Sequence, residues 1–152
     1  RAKTIESIKP KPYTILLSAS GQKFTQKKAN ILAKKKNIAI VCGHYEGVDA
    51  RVEEFVDEVI SIGDYVLTGG EIPAMLIVDS VTRLIPGTIT EGSPQNESFQ
   101  KYNLLEYPQF TRPQKYKNLE VPKILLSGNH KEIEEWRKQQ SEKRTKKFRP
   151  DL

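Results

Sequence analysis

At 152 residues and 37% hydrophobic content, the chain has the size of one ordinary domain and enough apolar material for a core. No apolar run approaches the roughly 20 residues of a membrane span, and RAKTIESIKPKP contains no signal-type apolar core, so the expectation is a cytoplasmic protein without a membrane partner. One cysteine, Cys42, rules out an intrachain disulfide framework; two histidines without a cysteine cluster argue against a zinc site, and no metal ligand is assigned.

Tyr13-Thr-Ile-Leu-Leu-Ser reads as a buried strand with Gly21 marking the turn after it. A lysine-rich helix over Thr25–Lys36 leads into a second strand, Asn37–Cys42, where Cys42 reads as a small buried thiol. Gly43–Asp49 is a loop, and Asp49 is placed to cap a short helix running to Val56. Glu58–Ile62 and Tyr65–Leu67 read as strand pieces, and a helix over Glu71–Leu84 stops before Pro86-Gly87. Strands alternating with helices at short spacing predict an α/β layer with a mostly parallel sheet. Gly87–Asn96 is polar, rich in turn formers and without hydrophobic periodicity, so it reads as a linker. A long helix begins near Asn129, which has capping-box spacing to Glu132, with Ile133 and Trp136 on one face.

Charge is zoned along the chain. No acid stands between Ile8 and Tyr45, while Lys23, Lys27, Lys28 and Lys34–Lys36 accumulate there. From Glu46 to Glu71 eight acids face Arg51 alone, and the end turns basic again through Lys143, Arg144, Lys146, Lys147 and Arg149. Two basic zones around an acidic centre suit a polyanion held at the edges with a neutral or cationic ligand between them, although solvated helix faces give the same pattern.

Three glycine-bearing loops follow strands, at Ser18–Gly21, Gly43–Gly47 and Thr68–Glu71. Neither the G-x-x-x-x-G-K-[ST] phosphate loop nor the G-x-G-x-x-G dinucleotide fingerprint is present, and Glu46, Asp64 and Glu71 beside the loops would repel a phosphate. Bare amides and carboxylates without a lysine suit an adenine-bearing, positively charged, phosphate-free ligand such as S-adenosyl-L-methionine. Glycines after strands also serve as turn formers and nothing more.

Five motifs in order, Cys42–Asp49, Ser61–Ala74, Asp79–Gly87, Phe110–Pro113 and Val121–His130, resemble the bacterial tRNA (guanine-N1)-methyltransferases of the SPOUT class, and the likeness runs from about Tyr13 to the end. The resemblance implies a trefoil-knotted parallel-sheet α/β domain over residues 1–86, a flexible linker over 87–98 and a small, mostly helical tRNA-binding domain over 99–152. It implies methyl transfer from S-adenosylmethionine to N1 of the guanosine 3′ of the anticodon. It also implies a homodimer with the active site at the subunit interface, and assistance by Mg2+ in the family. The family's opening strand, its glycine-rich tRNA-contacting motif and its terminal helices have no counterpart here, so the chain is expected to be a fragment.

Carried over by position, Gly43, Tyr45, Glu46 and Gly47 line the methionine and ribose side of the cofactor. Ile62, Gly63, Tyr65 and Leu67 hold adenine, Gly69, Gly70 and Pro73 close the pocket, and Leu16 and Ser18 form the first wall. N1 of guanine carries a proton at neutral pH, so its methylation needs a base and a cation near the carbonyl oxygen. Arg83 matches the family's arginine, and Glu97, in Glu97-Ser98-Phe99, stands where the family usually has an aspartate base. Two rivals follow: a catalytically impaired RNA-binding fragment of the same fold, and a SPOUT enzyme acting on ribose 2′-hydroxyls, which the Arg83 and Phe110–Pro113 contexts disfavour.

Overall fold

The computed structural model describes residues 4, 7–44, 47–89, 97–100 and 103–152. The chain divides into two compact units, Arg1–Glu91 and Gly92–Leu152.

The first unit is a mixed α/β layer on a parallel three-stranded sheet of order β2-β1-β3, where β1 is Tyr13–Lys23, β2 is Ile38–Val41 and β3 is Glu58–Ser61. β1 takes the centre because its apolar run serves both faces. Ile15 and Leu17 enter the core with Ile60, while Thr14 and Leu16 are buried on the opposite face. Helix α1 (Gln26–Leu32) begins where Thr25 caps it, its hydroxyl accepting from Lys28 N at 3.3 Å. It inserts Ala29 and Leu32 into the same core. α1 stops at Leu32, short of the expected Lys36, because only lysines follow Ala33 and no further side chain is there to bury; tight turns from Lys34 N to Ile31 O and Lys35 N to Leu32 O close it. Asp49 caps a 3-10 helix, Ala50–Phe55, as its spacing predicts. Helix α2 (Glu71–Thr82) completes the core with Ile77 and Val81.

Two local expectations change. Gly21 is not a turn after the first strand but lies within β1, where Leu17 and Gln22 both pair with Ile60 and the segment between them bulges away from β3. A Cβ at Gly21 would sit 2.6 Å from Ile60 N, so only glycine lets β1 rejoin β3 here. Tyr65–Leu67 is irregular rather than a strand. The Ser61 hydroxyl accepts from Gly63 N at 3.2 Å and donates to Gly63 O at 3.1 Å, turning the chain out of the sheet immediately after β3.

The second unit combines a small hairpin, β4 (Lys115–Tyr116) and β5 (Leu119–Glu120), a 3-10 turn over Lys123–Leu126 and helix α3 (His130–Phe148). The hairpin was not foreseen. Its turn places Lys117 at φ 53°, a left-handed conformation that a lysine gives no sequence signal for. Asn129 caps α3 through Oδ1, accepting from Glu132 N at 3.4 Å, while Ser127 rather than Glu132 receives the Asn129 N–H, at 3.1 Å. The half-buried face of α3 is mostly polar and is covered by residues 105–110. Leu105 N donates to Thr145 Oγ1 at 2.8 Å, the Arg137 guanidinium lies 4.7 Å from the Tyr107 ring centre, and Phe110 and Trp136 meet at 6.4 Å between centroids. As this segment advances it meets earlier residues of α3, so it runs antiparallel along the helix.

Candidate functional site

A cavity of about 520 Å³ opens at the C-terminal ends of the three strands, the side of an α/β sheet where loops converge on ligands. The β1 bulge supplies one wall through Leu16, Leu17, Ser18 and Ala19, and the loop after β2 supplies Gly43, Gly47 and Val48. The end of β3 and its following loop give Ile60–Gly63, and Tyr65–Gly70 with Pro73 close the far side. Of the residues expected to hold a cofactor, Leu16, Ser18, Gly43, Gly47, Ile62, Gly63, Tyr65, Leu67, Gly69, Gly70 and Pro73 all line this cavity. Tyr45 and Glu46 lie outside the described residues.

The loops after β2 and before α2 are tied together directly. Gly70 N donates to Gly43 O at 3.1 Å, Cys42 Sγ donates to Gly70 O at 3.3 Å, His44 bridges to Gly69, and His44 Nε2 stands 2.5 Å from Glu71 Oε1. Gly70 makes this approach possible: a Cβ there would lie 2.8 Å from both Cα and Cβ of Cys42. As the N-cap of α2, Gly70 brings no side-chain cap, so the first-turn amides of the helix stay beside the cavity.

Among the described residues no lysine or arginine lines the cavity, and the carboxylate that does is Glu53, on the 3-10 helix. Sequence reasoning missed Glu53, because the six-residue helix that carries it is too short for periodicity to show which side faces in; the burial of Val52 fixes that side only in the structure. Glu53 makes no ion pair among the described residues, whereas nearby Asp49 is engaged with Arg51, whose hydrogen bonds hold its carboxyl below the ordinary range.

Arg83 is not part of the cavity wall. It is the C-cap of α2, its N–H donating to Asp79 O at 3.2 Å, at the far end of a helix about 18 Å long. Glu97 belongs to the second unit and is half-buried in a tightly held turn. Gln100 N donates to Glu97 O at 3.4 Å, Glu106 N to Ser98 Oγ at 2.9 Å and Phe99 N to Leu104 O at 2.8 Å. Phe99 takes φ 68°, a left-handed conformation that costs a phenylalanine on the order of 1 kcal/mol and that this bonding sustains. Among the described residues no three His, Cys, Asp or Glu side chains converge as a metal site.

Residues 2–152 match the family model described as tRNA (Guanine-1)-methyltransferase TrmD. The chain belongs to that family. A tRNA (guanine-N(1)-)-methyltransferase of Metamycoplasma arthritidis (strain 158L3-1) is 57% identical over 97% of this chain and 64% of its own length. One of the same name from Mycoplasmopsis synoviae (strain 53) is 56% identical over 92% of this chain and 62% of its own. A third, from Alkaliphilus metalliredigens (strain QYMF), is 58% identical over 91% and 57%. The chain thus spans about three fifths of the length of these TrmD-family relatives. No helix among the described residues is long and apolar enough to cross a membrane.

Proposed function

We propose that the protein is a tRNA methyltransferase that moves a methyl group from S-adenosylmethionine to N1 of the guanosine 3′ of the anticodon. The observation that carries this reading is the cavity at the strand ends, where the described lining is glycine amides, apolar side chains and the Glu53 carboxylate, with no cation among the described residues to receive a phosphate. Its volume of about 520 Å³ suits a nucleoside-sized ligand. The bound cofactor supplies an electrophilic methyl on a sulfonium. The protein's part is to bury the adenosine against Leu16, Ile62 and Leu67, let backbone amides approach at Gly43 and Gly70, and set the Glu53 carboxylate towards the ligand's positive charge.

At the guanine, Glu97 takes the N1 proton and Arg83 stabilises the charge that grows on the neighbouring carbonyl oxygen. No step is assigned to Mg2+. In one chain α2 holds Arg83 about 18 Å from Gly70, which supports a site completed by a second subunit. An apolar outer face on the same unit supports this dimer. Ile72, Met75 and Val78 project from α2 opposite its buried Pro73, Ile77 and Val81, and Val66 on the preceding loop is 89% exposed. The tie between Gly43 and Gly70 supports a trefoil knot, and the basic residues of α3, with the linker before it, supply the tRNA-gripping domain.

Thermal melting tests the cofactor directly. S-adenosylmethionine at 100 times its Kd raises stability by about 2.7 kcal/mol, while ATP at equal concentration gives no shift. A larger shift with ATP sinks the reading. Glu53→Gln is expected to weaken S-adenosylmethionine about 3- to 10-fold by calorimetry, the range for a partly exposed charge-assisted contact.

A further inference from the structure

The sheet has a second concavity at its other end. Tyr13 opens β1 there, Asn37 precedes β2 and Asp57 precedes β3, and with Lys11, Lys35 and Lys36 they enclose about 390 Å³. Roughly 10 Å of β1, from Tyr13 to Leu16, separates it from the cofactor cavity.

Its ionic character is the reverse of the first. The carboxylates nearby are already engaged: Asp57 Oδ2 accepts from Thr14 N at 2.7 Å, and Glu58 takes the Lys28 ammonium and the Tyr13 hydroxyl, the latter at 3.2 Å. Lys11, Lys35 and Lys36 make no ion pair with an acid among the described residues. The Lys35 ammonium instead lies 4.2 Å from the Tyr13 ring centre, which holds the cation at the groove. Burial, and then Glu58, raise the Tyr13 phenol above its ordinary range, so the ring brings no opposing charge. The dipole of a seven-residue helix does not account for three cations, and Lys11 is not on that helix.

We propose that this groove is a second anion site that takes adjacent phosphodiesters of the bound RNA, with Lys35 and Lys36 as its paired cationic contacts and the Tyr13 ring as its floor. The proposal rests on the tRNA reading above and adds to it an RNA contact remote from the methyl-transfer centre. Of the lysines in the acid-free stretch, Lys28 and Lys23 are occupied by Glu58 and Asp64, while Lys11, Lys35 and Lys36 are the ones that line the groove.

The test is titration of tRNA with the chain across 50–200 mM salt, comparing wild type with Lys35→Gln/Lys36→Gln. Loss of two phosphate contacts lowers the slope of log K against log salt by about 1.4–1.8 and weakens binding about tenfold at constant salt. The melting shift with S-adenosylmethionine stays as in wild type, and Lys35→Arg/Lys36→Arg restores the slope. An unchanged slope in the glutamine variant overturns the groove alone. Wild-type chain that shows the S-adenosylmethionine shift but binds no tRNA overturns the tRNA reading and the groove with it. Inorganic pyrophosphate is the control ligand: if the variant loses it while keeping the tRNA slope, the groove takes free phosphate and the RNA assignment is overturned.

Discussion

Glu97→Gln is expected to lower kcat for guanine N1 methylation by about 10²- to 10⁴-fold while leaving S-adenosylmethionine affinity unchanged. The amide keeps the size and hydrogen-bonding reach of the carboxylate but cannot accept the N1 proton, so only the proton transfer is removed. The turn that carries Glu97 is fixed by main-chain bonds at Phe99 and Gln100 and by the Ser98 hydroxyl, none of which the substitution touches. Single-turnover methylation of tRNA bearing guanosine at the target position, with the modified atom mapped, is the measurement. An unaltered rate removes Glu97 as the base; no methylation even by the wild-type chain favours the impaired RNA-binding alternative; a methyl on a ribose oxygen moves the protein to a different SPOUT chemistry. Glu97→Asp pulls the carboxylate back by about 1 Å, a displacement that can cost about 100-fold where nothing compensates.

Gly70→Ala is expected to have the second large effect, on both stability and the cofactor. The new methyl would lie 2.8 Å from Cys42 Cα and Cβ and 3.1 Å from Gly43 N, so the loop after β2 and the start of α2 have to part. Overpacking of this kind costs about 1–3 kcal/mol, and the parting breaks the Gly70 N–H bond to Gly43 O that closes the cavity. A melting temperature lower by several degrees together with at least a tenfold loss of S-adenosylmethionine affinity is the expected result, read by melting and calorimetry. Wild-type values for both would mean that the two loops are not locked as the distances indicate.

The strands and helices of the first unit were legible because their signals are local. Apolar runs mark β1 and β2, Thr25 and Asp49 carry cap chemistry, and Pro86-Gly87 ends the helix before it. Two of the three glycine loops, Gly43–Gly47 and Thr68–Glu71, were legible as loops, whereas Ser18–Gly21 lies inside β1. What escaped depended on distant partners. Gly21 looks like a turn in isolation and becomes part of a bulge only because Ile60 pairs on both sides of it. Tyr65–Leu67 has strand composition, yet the Ser61 hydroxyl bends the chain out of the sheet before it. Glu53 faces the cavity from a 3-10 helix whose phase becomes readable only once Val52 is known to turn inward. The hairpin turns on a left-handed Lys117, and the covering of α3 by residues 105–110 is a tertiary fact that no window of sequence contains.

Helix α2 is greasy on two flanks, with Ile77 and Val81 facing in and Met75, 71% accessible, facing out. In the proposed dimer, burying the outer flank against another copy would add to the free energy that holds the folded unit together, and dilution would then act as a mild denaturant. The melting point would become a property of the solution's composition as well as of the chain.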